Sequence, residues 1–471
     1  MARIRPITQV KSGPSIVSGT SVAPILGSGS PIPEAAGVIG SGIREIPGLG
    51  VLASAVSTVV GTSAPAQPVP DAIASTITVR DSGGDYTTIA AALAAATSGD
   101  VIGLEPSKEY TIDFSNNQEH ISIPQGVTLQ TDLNAAQLAS NAGYAQWATI
   151  RTLNAVAGNE DGRAIQLDAD NGRVRLLKVR DSGNLGVVIG FQSGGDDCIV
   201  EWMDIQHTND NDPVRNQTNP AHVFIGWQAL SNTVHRPIVR HIFTMGDYAK
   251  AVKIDQRKTG TGGYTVENIT CVRSLDLCHL KWSTWTGATG GTFRRSIGMQ
   301  GAAIRTDGRD VTYEDCVVDY SNDPASAILA VLVNDNDEGF NQIFDHCTLI
   351  GTSGQHTFEA RGGPGHQLKN SIIYNPGGNY VAKYNGSVVT ESDNAESTSL
   401  ASYQFVDTAN HNYRLQSGSP QKDNAGDGDD QGARFEDVWI GCGFIPTLVT
   451  TSPNGFSYTD AIFPNPYGMT A

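Results

Sequence analysis

Val239-Arg240-His241-Ile242 and, 27 residues later, Val266-Glu267-Asn268-Ile269 carry the reading that decides the fold. Each starts on an apolar residue, places a charge second and returns to an apolar residue in the fourth place. The same figure starts at Val174, Val200, Phe293, Tyr313, Phe344 and Leu368, eight times in all. The second places are Arg175, Glu201, Arg240, Glu267, Arg294, Glu314, Asp345 and Lys369, all charged. The fourth are Leu177, Met203, Ile242, Ile269, Ser296, Cys316, Cys347 and Ser371, apolar or small. Read as strands whose side chains alternate between faces, the second places face solvent and the fourth point inward. The starts lie 26, 39, 27, 27, 20, 31 and 24 residues apart, a mean near 28. That is one coil of a solenoid with loops of variable length.

The bulk composition agrees. The 52 glycines among 471 residues, with abundant Asn, Asp, Ser and Thr, suit many short strands and turns rather than long helices. A net charge of −17 argues against nucleic acid or an anionic membrane as partner. The six cysteines (Cys198, Cys271, Cys278, Cys316, Cys347, Cys442) form no C-x-x-C pair, so neither a zinc site nor a disulfide scaffold is expected, and most are read as thiols. Cys316 and Cys347 share one offset in adjacent coils, about 4.8 Å apart, within disulfide reach; stacked buried thiols are the preferred reading. The basic start is interrupted by Gly13, Pro14, Gly19 and Pro24, unlike a signal-peptide core. The apolar run from Gly48 to Val60 is short of the roughly 20 residues that span a bilayer, so no membrane insertion is expected.

Five regions follow. Residues 1–70 are rich in Ser, Gly, Pro and small apolar residues, too broken for a core and too apolar for a solvated tail, as an arm anchored on a partner would be. In residues 71–130, Thr76-Ile-Thr-Val-Arg reads as strand, Asp81-Ser-Gly-Gly-Asp as turn, Tyr86 to Ala96 as a short helix and Gly99-Asp-Val-Ile-Gly-Leu as strand again. Residues 131–400 form the body. Residues 401–444 hold Tyr413-Arg-Leu-Gln-Ser-Gly-Ser-Pro and Val438-Trp-Ile-Gly-Cys-Gly, and 445–471 form a tail.

The strand, helix, Gly-Asp, strand order resembles the opening of pectate-lyase-like β-helices, in which a helix covers the first coil. The Tyr413 and Val438 segments resemble the closing signature of many β-helix proteins, with Gln421 and Trp439 departing from it. The resemblance spans residues 76 to about 444. It implies an all-β fold: a single-stranded right-handed parallel β-helix, or solenoid, with an N-terminal capping helix and an extended N-terminal arm.

Gly195-Asp196-Asp197-Cys198-Ile199 resembles an element of the polygalacturonases, and His222 lies roughly where that family has a Gly-His-Gly element. The resemblance implies Asp196, Asp197 and His222 as catalytic residues, one carboxyl serving as acid and one activating water. The Asn-Thr-Asp-Gly and Arg-Ile-Lys elements of that family are missing. The structural alternative makes Asp196 and Asp197 the turn into the strand at Val200. Trp202, Trp227, Trp282 and Trp285 are candidate sugar-stacking surfaces, and Trp282 and Trp285 share a segment with His279 and Lys281, a candidate glycan-binding set. Asp335, Asp337 and Glu338 form a candidate Ca2+ cluster without the full spacing of a calcium loop, and an acidic turn is the alternative. Asp427-Gly-Asp-Asp-Gln-Gly reads as an acidic turn. Arg305 and Arg309, near Asp307 and Asp310, are candidates for a lyase-type arginine or for a salt-bridged outer face.

A β-helix with an apolar arm and no secretion signal resembles bacteriophage tailspikes and capsid decorations. That resemblance implies a homotrimeric structural protein on the virion surface. Residues 1–70 would anchor it to other virion proteins, and it would bind host-surface glycans. A polysaccharide hydrolase or lyase and a bacterial surface adhesin are the alternatives.

Overall fold

The computed structural model describes residues 69–434, apart from 115–119, 139–143, 154–162, 182–186, 192–194, 208–220, 227–233, 246–248, 256–261, 273, 275, 282–289, 300, 302, 321–328 and 334–338, together with 451–452 and 455–456. Residues 1–68, all but the end of the arm of residues 1–70, lie outside the described residues, as do the Val438 segment and most of the tail.

The chain is a parallel β-helix. Among the described residues two parallel sheets, one of 19 strands and one of 10, climb the molecule coil by coil. The eight figures stack in unbroken register: Val174, Val200, Val239, Val266, Phe293, Tyr313, Phe344 and Leu368 are successive partners. The column extends upstream through Leu129, Ile102 and Ile77, where Gln130, Gly103 and Thr78 hold the second place and the charge signal disappears. A side chain at Gly103 would meet Ser75 Oγ at 2.0 Å, so the segment crossing that coil requires glycine there. The apolar column lies in one continuous core, where each fully buried Val, Leu or Ile contributes about 1.5–3 kcal/mol.

One feature departs from simple alternation. The third place of every figure is a left-handed corner: Leu176, Trp202, His241, Asn268, Arg295, Asp315, His346, Asn370 and the next equivalent, Asp393, have φ between 49° and 57°. The corner bends the chain within a coil, so the second and fourth places belong to different faces. The small fourth-place residues then satisfy backbone groups near the bend. Ser296 Oγ accepts from Ile269 N at 3.2 Å and donates to Arg294 O at 2.9 Å. Cys316 and Cys347 are buried free thiols, in keeping with the stacked-thiol reading.

The charged second places also depart from expectation, since several are buried rather than solvated. They alternate in sign, so neighbours pair between coils. Glu201 lies between Arg175 at 3.3 Å and Arg240 at 2.7 Å, and Glu267 meets Arg294 at 2.9 Å. Arg175 Nη2 also donates to the Asp71 carbonyl at 2.7 Å, so the segment before the first coil crosses it. The like-signed neighbours Glu314 and Asp345 break the alternation. Arg434 bonds Glu314 at 2.8 Å and Lys369 bonds Asp345 at 2.9 Å.

The capping helix, Ile89–Ala95, starts at Thr88, whose hydroxyl accepts from Ala91 N at 3.2 Å, and it buries Ile89 and Ala92 in the main core. Among the described residues no helix is long and apolar enough to cross a membrane.

Candidate functional site

Two stretches of chain cover the face that follows the corner. Leu133, Leu138, Tyr144 and Trp147 pack over Trp202, Phe243, Met245 and Val272 in the earlier coils. Tyr403, Phe405, Tyr413 and Ala433 pack over Ile297, Val317, Ile350 and Ile372 in the later ones. The face before the corner carries the charge ladder. On the 10-stranded sheet the outward Lys250 and Asp276 are fully buried and Phe224 and Lys253 nearly so, while His279 and Arg305 are partly exposed.

Three of its neighbouring strands are Ala221–Ile225, Lys250–Asp255 and Asp276–Lys281. Here outward residues stand three apart. Ala251 and Val252, like Leu277 and Cys278, both enter the core, which leaves Lys250 with Lys253 and Asp276 with His279 on the outer side. Register aligns Phe224, Lys253, His279 and Arg305 in one column and Ala221, Lys250 and Asp276 in another. Lys253 Nζ lies over the Phe224 ring, 4.4 Å from its centroid.

Asp276 is the hub. It is 0% exposed, its Oδ2 lies 2.9 Å from His279 Nδ1, and its Oδ1 lies 2.9 Å from Arg305 Nε. Burial pushes its carboxyl up, but Arg305, the His279 hydrogen bond and Lys250 outweigh this and hold it below its ordinary value. Burial lowers the His279 imidazole to about 4 despite the neighbouring carboxylate. A carboxylate can only accept, so the proton of the neutral ring sits on Nδ1 and Nε2 keeps a lone pair. An oriented imidazole beside three cations can accept a proton or a hydrogen bond from a ligand whose anionic group those cations hold.

The other sequence-derived candidates are distributed as follows. Asp196 and Asp197 occupy the turn before the strand Ile199–His207, with Asp197 at φ 56°. Asp196 accepts from His235 N at 2.7 Å and lies 3.0 Å from its Nδ1. Asp197 makes a bidentate pair with Arg236, at 2.7 and 2.6 Å, which holds its carboxyl below the ordinary value. Both aspartates thus tie one coil to the next. His222 is fully buried in the 10-stranded sheet, level with the core residues Val188 and Ala251, whereas the two carboxylates sit in the turn that leads into the 19-stranded sheet.

Trp202 is buried at a corner and stacked on His241, with ring centroids 4.0 Å apart, so it lines no groove. Trp227, Trp282, Trp285, Asp335, Asp337 and Glu338 lie outside the described residues, as does the side chain of Lys281. Arg305 pairs with Asp276 rather than Asp307, and Arg309 lies 4.3 Å from the Phe340 ring centroid. Phe224, Lys250, Lys253 and Asp276 were not singled out from the sequence. Their signal is polar or bulky residues three apart within a strand, a spacing that alternation excludes.

No family model matches the chain, and no curated protein matches it. Among solved structures it is similar to pectate lyase Pel9A, at 13% identity over 78% of this chain and 97% of that one, with a TM-score of 0.47. It is similar to the catalytic domain of a GH87 alpha-1,3-glucanase in complex with nigerose, at 12% identity over 76% and 70%, with a TM-score of 0.40. It is also similar to the Dettilon tailspike protein (gp208), at 11% identity over 65% and 57%, with a TM-score of 0.38. None of these likenesses bears on activity.

Proposed function

We propose that this β-helix binds an anionic polysaccharide along the outer face of its 10-stranded sheet, as the body of a homotrimeric bacteriophage surface protein anchored by residues 1–70. The observation that carries the glycan reading is the column Phe224, Lys253, His279 and Arg305, flanked by Lys250 and Asp276, on a chain of net charge −17. His279 and Arg305, the partly exposed members of the column, lie on adjacent coils about 4.8 Å apart, where a sugar chain running along the solenoid axis would meet them in turn. Calorimetric titration with a panel of acidic oligosaccharides tests this. Binding that weakens at least about tenfold in Lys253→Ala or Arg305→Ala and falls with added salt supports it. Absence of binding across the panel, or binding indifferent to both substitutions, rejects it.

The virion setting rests on the break in composition near residue 70, where a Ser-, Gly- and Pro-rich apolar arm gives way to the capped solenoid. A chain lacking residues 1–70 should fail to join particles, and the full chain should scatter light as a trimer. Particle incorporation without the arm, or a monomer, rejects that part of the reading.

The Asp276–His279 pair favours a second reading, a polysaccharide lyase or hydrolase in which His279 Nε2 takes the proton. Release of reducing ends or unsaturated products, lost in His279→Ala, would establish it. Loss in Asp197→Ala but not in His279→Ala would assign the chemistry to Asp196, Asp197 and His222 instead.

A further inference from the structure

The closing segment folds back over the corners of the late coils. Gly426 N donates to Asn370 Oδ1 at 3.0 Å, Gly432 N to Asn370 O at 2.8 Å and Ala433 N to Thr348 Oγ1 at 3.0 Å. The turn held there brings Asp427 and Asp429 to His346, a corner residue only 1% exposed. One ligand atom from each of the three lies within 4.8 Å of the others.

The imidazole of His346 has oxygen on both sides. Nδ1 lies 2.9 Å from the Asp430 carbonyl, which only accepts, so Nδ1 carries a proton. Nε2 faces Asp427 Oδ2 at 2.9 Å, and a carboxylate oxygen only accepts. At that distance either a proton on Nε2 or a metal ion lies between the two atoms. A histidine that donates Nδ1–H to a backbone carbonyl and turns Nε2 toward carboxylates is arranged as metal-ligating histidines are. With metal–ligand bonds of about 2.1 Å, ligands in a tetrahedral shell sit about 3.4 Å apart, so Nε2 and the exposed Asp427 carboxylate need part by only about 0.5 Å to admit an ion. Asp345 Oδ1, 3.8 Å from Nε2, is a further oxygen within reach. Asp429 also lies 3.4 Å from Arg434 Nη1, and being exposed it can turn to close the shell.

We propose that His346, Asp427 and Asp429 bind one divalent transition-metal ion, of the zinc class that a mixed nitrogen and carboxylate set selects, and that the ion clamps the closing segment to the solenoid. The histidine and Asp427 are 81 residues apart, so the ion would add to the backbone hydrogen bonds that hold two distant segments together.

The test uses the full chain without a histidine tag, stripped with a chelator and dialysed against Zn2+. The comparison is with the double variant Asp427→Asn, Asp429→Asn, whose exposed positions leave the core intact, as circular dichroism checks. Wild type should take up one equivalent more than the variant, with affinity at least about tenfold higher. Zn2+ should also protect residues 424–434 from proteolysis in wild type alone. Equal uptake by the two proteins overturns the proposal. So does an imidazole resonance of His346 carrying both ring protons at neutral pH in the presence of Zn2+, since a proton then lies between Nε2 and Asp427.

Discussion

Glu201 and Arg175 face each other across adjacent coils, Oε1 to Nε at 3.3 Å, with side chains 1% and 0% exposed. Arg240 bonds the second oxygen of Glu201, and Arg173 joins from the edge. Removing the single carboxylate would leave several buried or half-buried guanidinium groups without their shared anion. Glu201→Ala is expected to destabilise the protein by about 3–5 kcal/mol, measured by denaturant unfolding.

The same carboxylate gives a pH dependence. Burial alone would raise Glu201, but Arg173, Arg175 and Arg240 hold it below its ordinary value of 4.5. Its contribution is therefore complete above pH 4.5 and is lost as pH falls through the lower, folded value. Melting temperature followed from pH 6 downward should decline less steeply in Glu201→Gln than in wild type.

Asn268 stands at a left-handed corner with φ 56°. A β-branched residue is disfavoured there, whereas glycine is not. Asn268→Val should lower stability by about 1–2 kcal/mol and Asn268→Gly by far less, again by denaturant unfolding. Equal losses would place the effect in the side chain rather than the backbone.

At the candidate glycan face, His279 should titrate by nuclear magnetic resonance with a midpoint of about 4 rather than near 6.5. Burial dominates this shift, and a neutral imidazole persists above that midpoint. Any binding or turnover that needs the Nε2 lone pair should hold from neutral pH down to about 5 and fall only as the ring gains its proton. A midpoint near 6.5 would mean that burial does not govern the ring.

Burial pushes the Cys316 thiol up, and the stacked Cys347 adds to the effect. Neither should react with a disulfide reagent at pH 8 in the folded protein, and both should react in guanidinium. Reductant should leave the melting temperature unchanged.

How much of this was legible depended on what each residue's role leaves in the sequence. Inward columns were, because a fully buried place accepts only apolar or small residues, and the register of Val174 to Leu368 followed from them. The corner was not. Asn268, Asp315, His346 and Asn370 belong to types that tolerate positive φ, but Leu176, Trp202 and Arg295 at the same place carry no such mark. Burial of the charged places was equally hidden, since Asp71 reaches Arg175 across 104 residues. His279 could be picked out from its neighbourhood, whereas Asp276 could not, because the irregular strand that puts both on one face breaks the alternation by which faces are read.

The alternating ladder gives the solenoid a parity. Removing residues 239–265, a single coil, would set Glu201 against Glu267, two buried anions side by side. Removing residues 239–292, two coils, would set Glu201 against Arg294 and restore attraction. Over this stretch the fold is built to lengthen or shorten by pairs of coils, and a duplication or deletion of odd number would need a compensating charge reversal to survive.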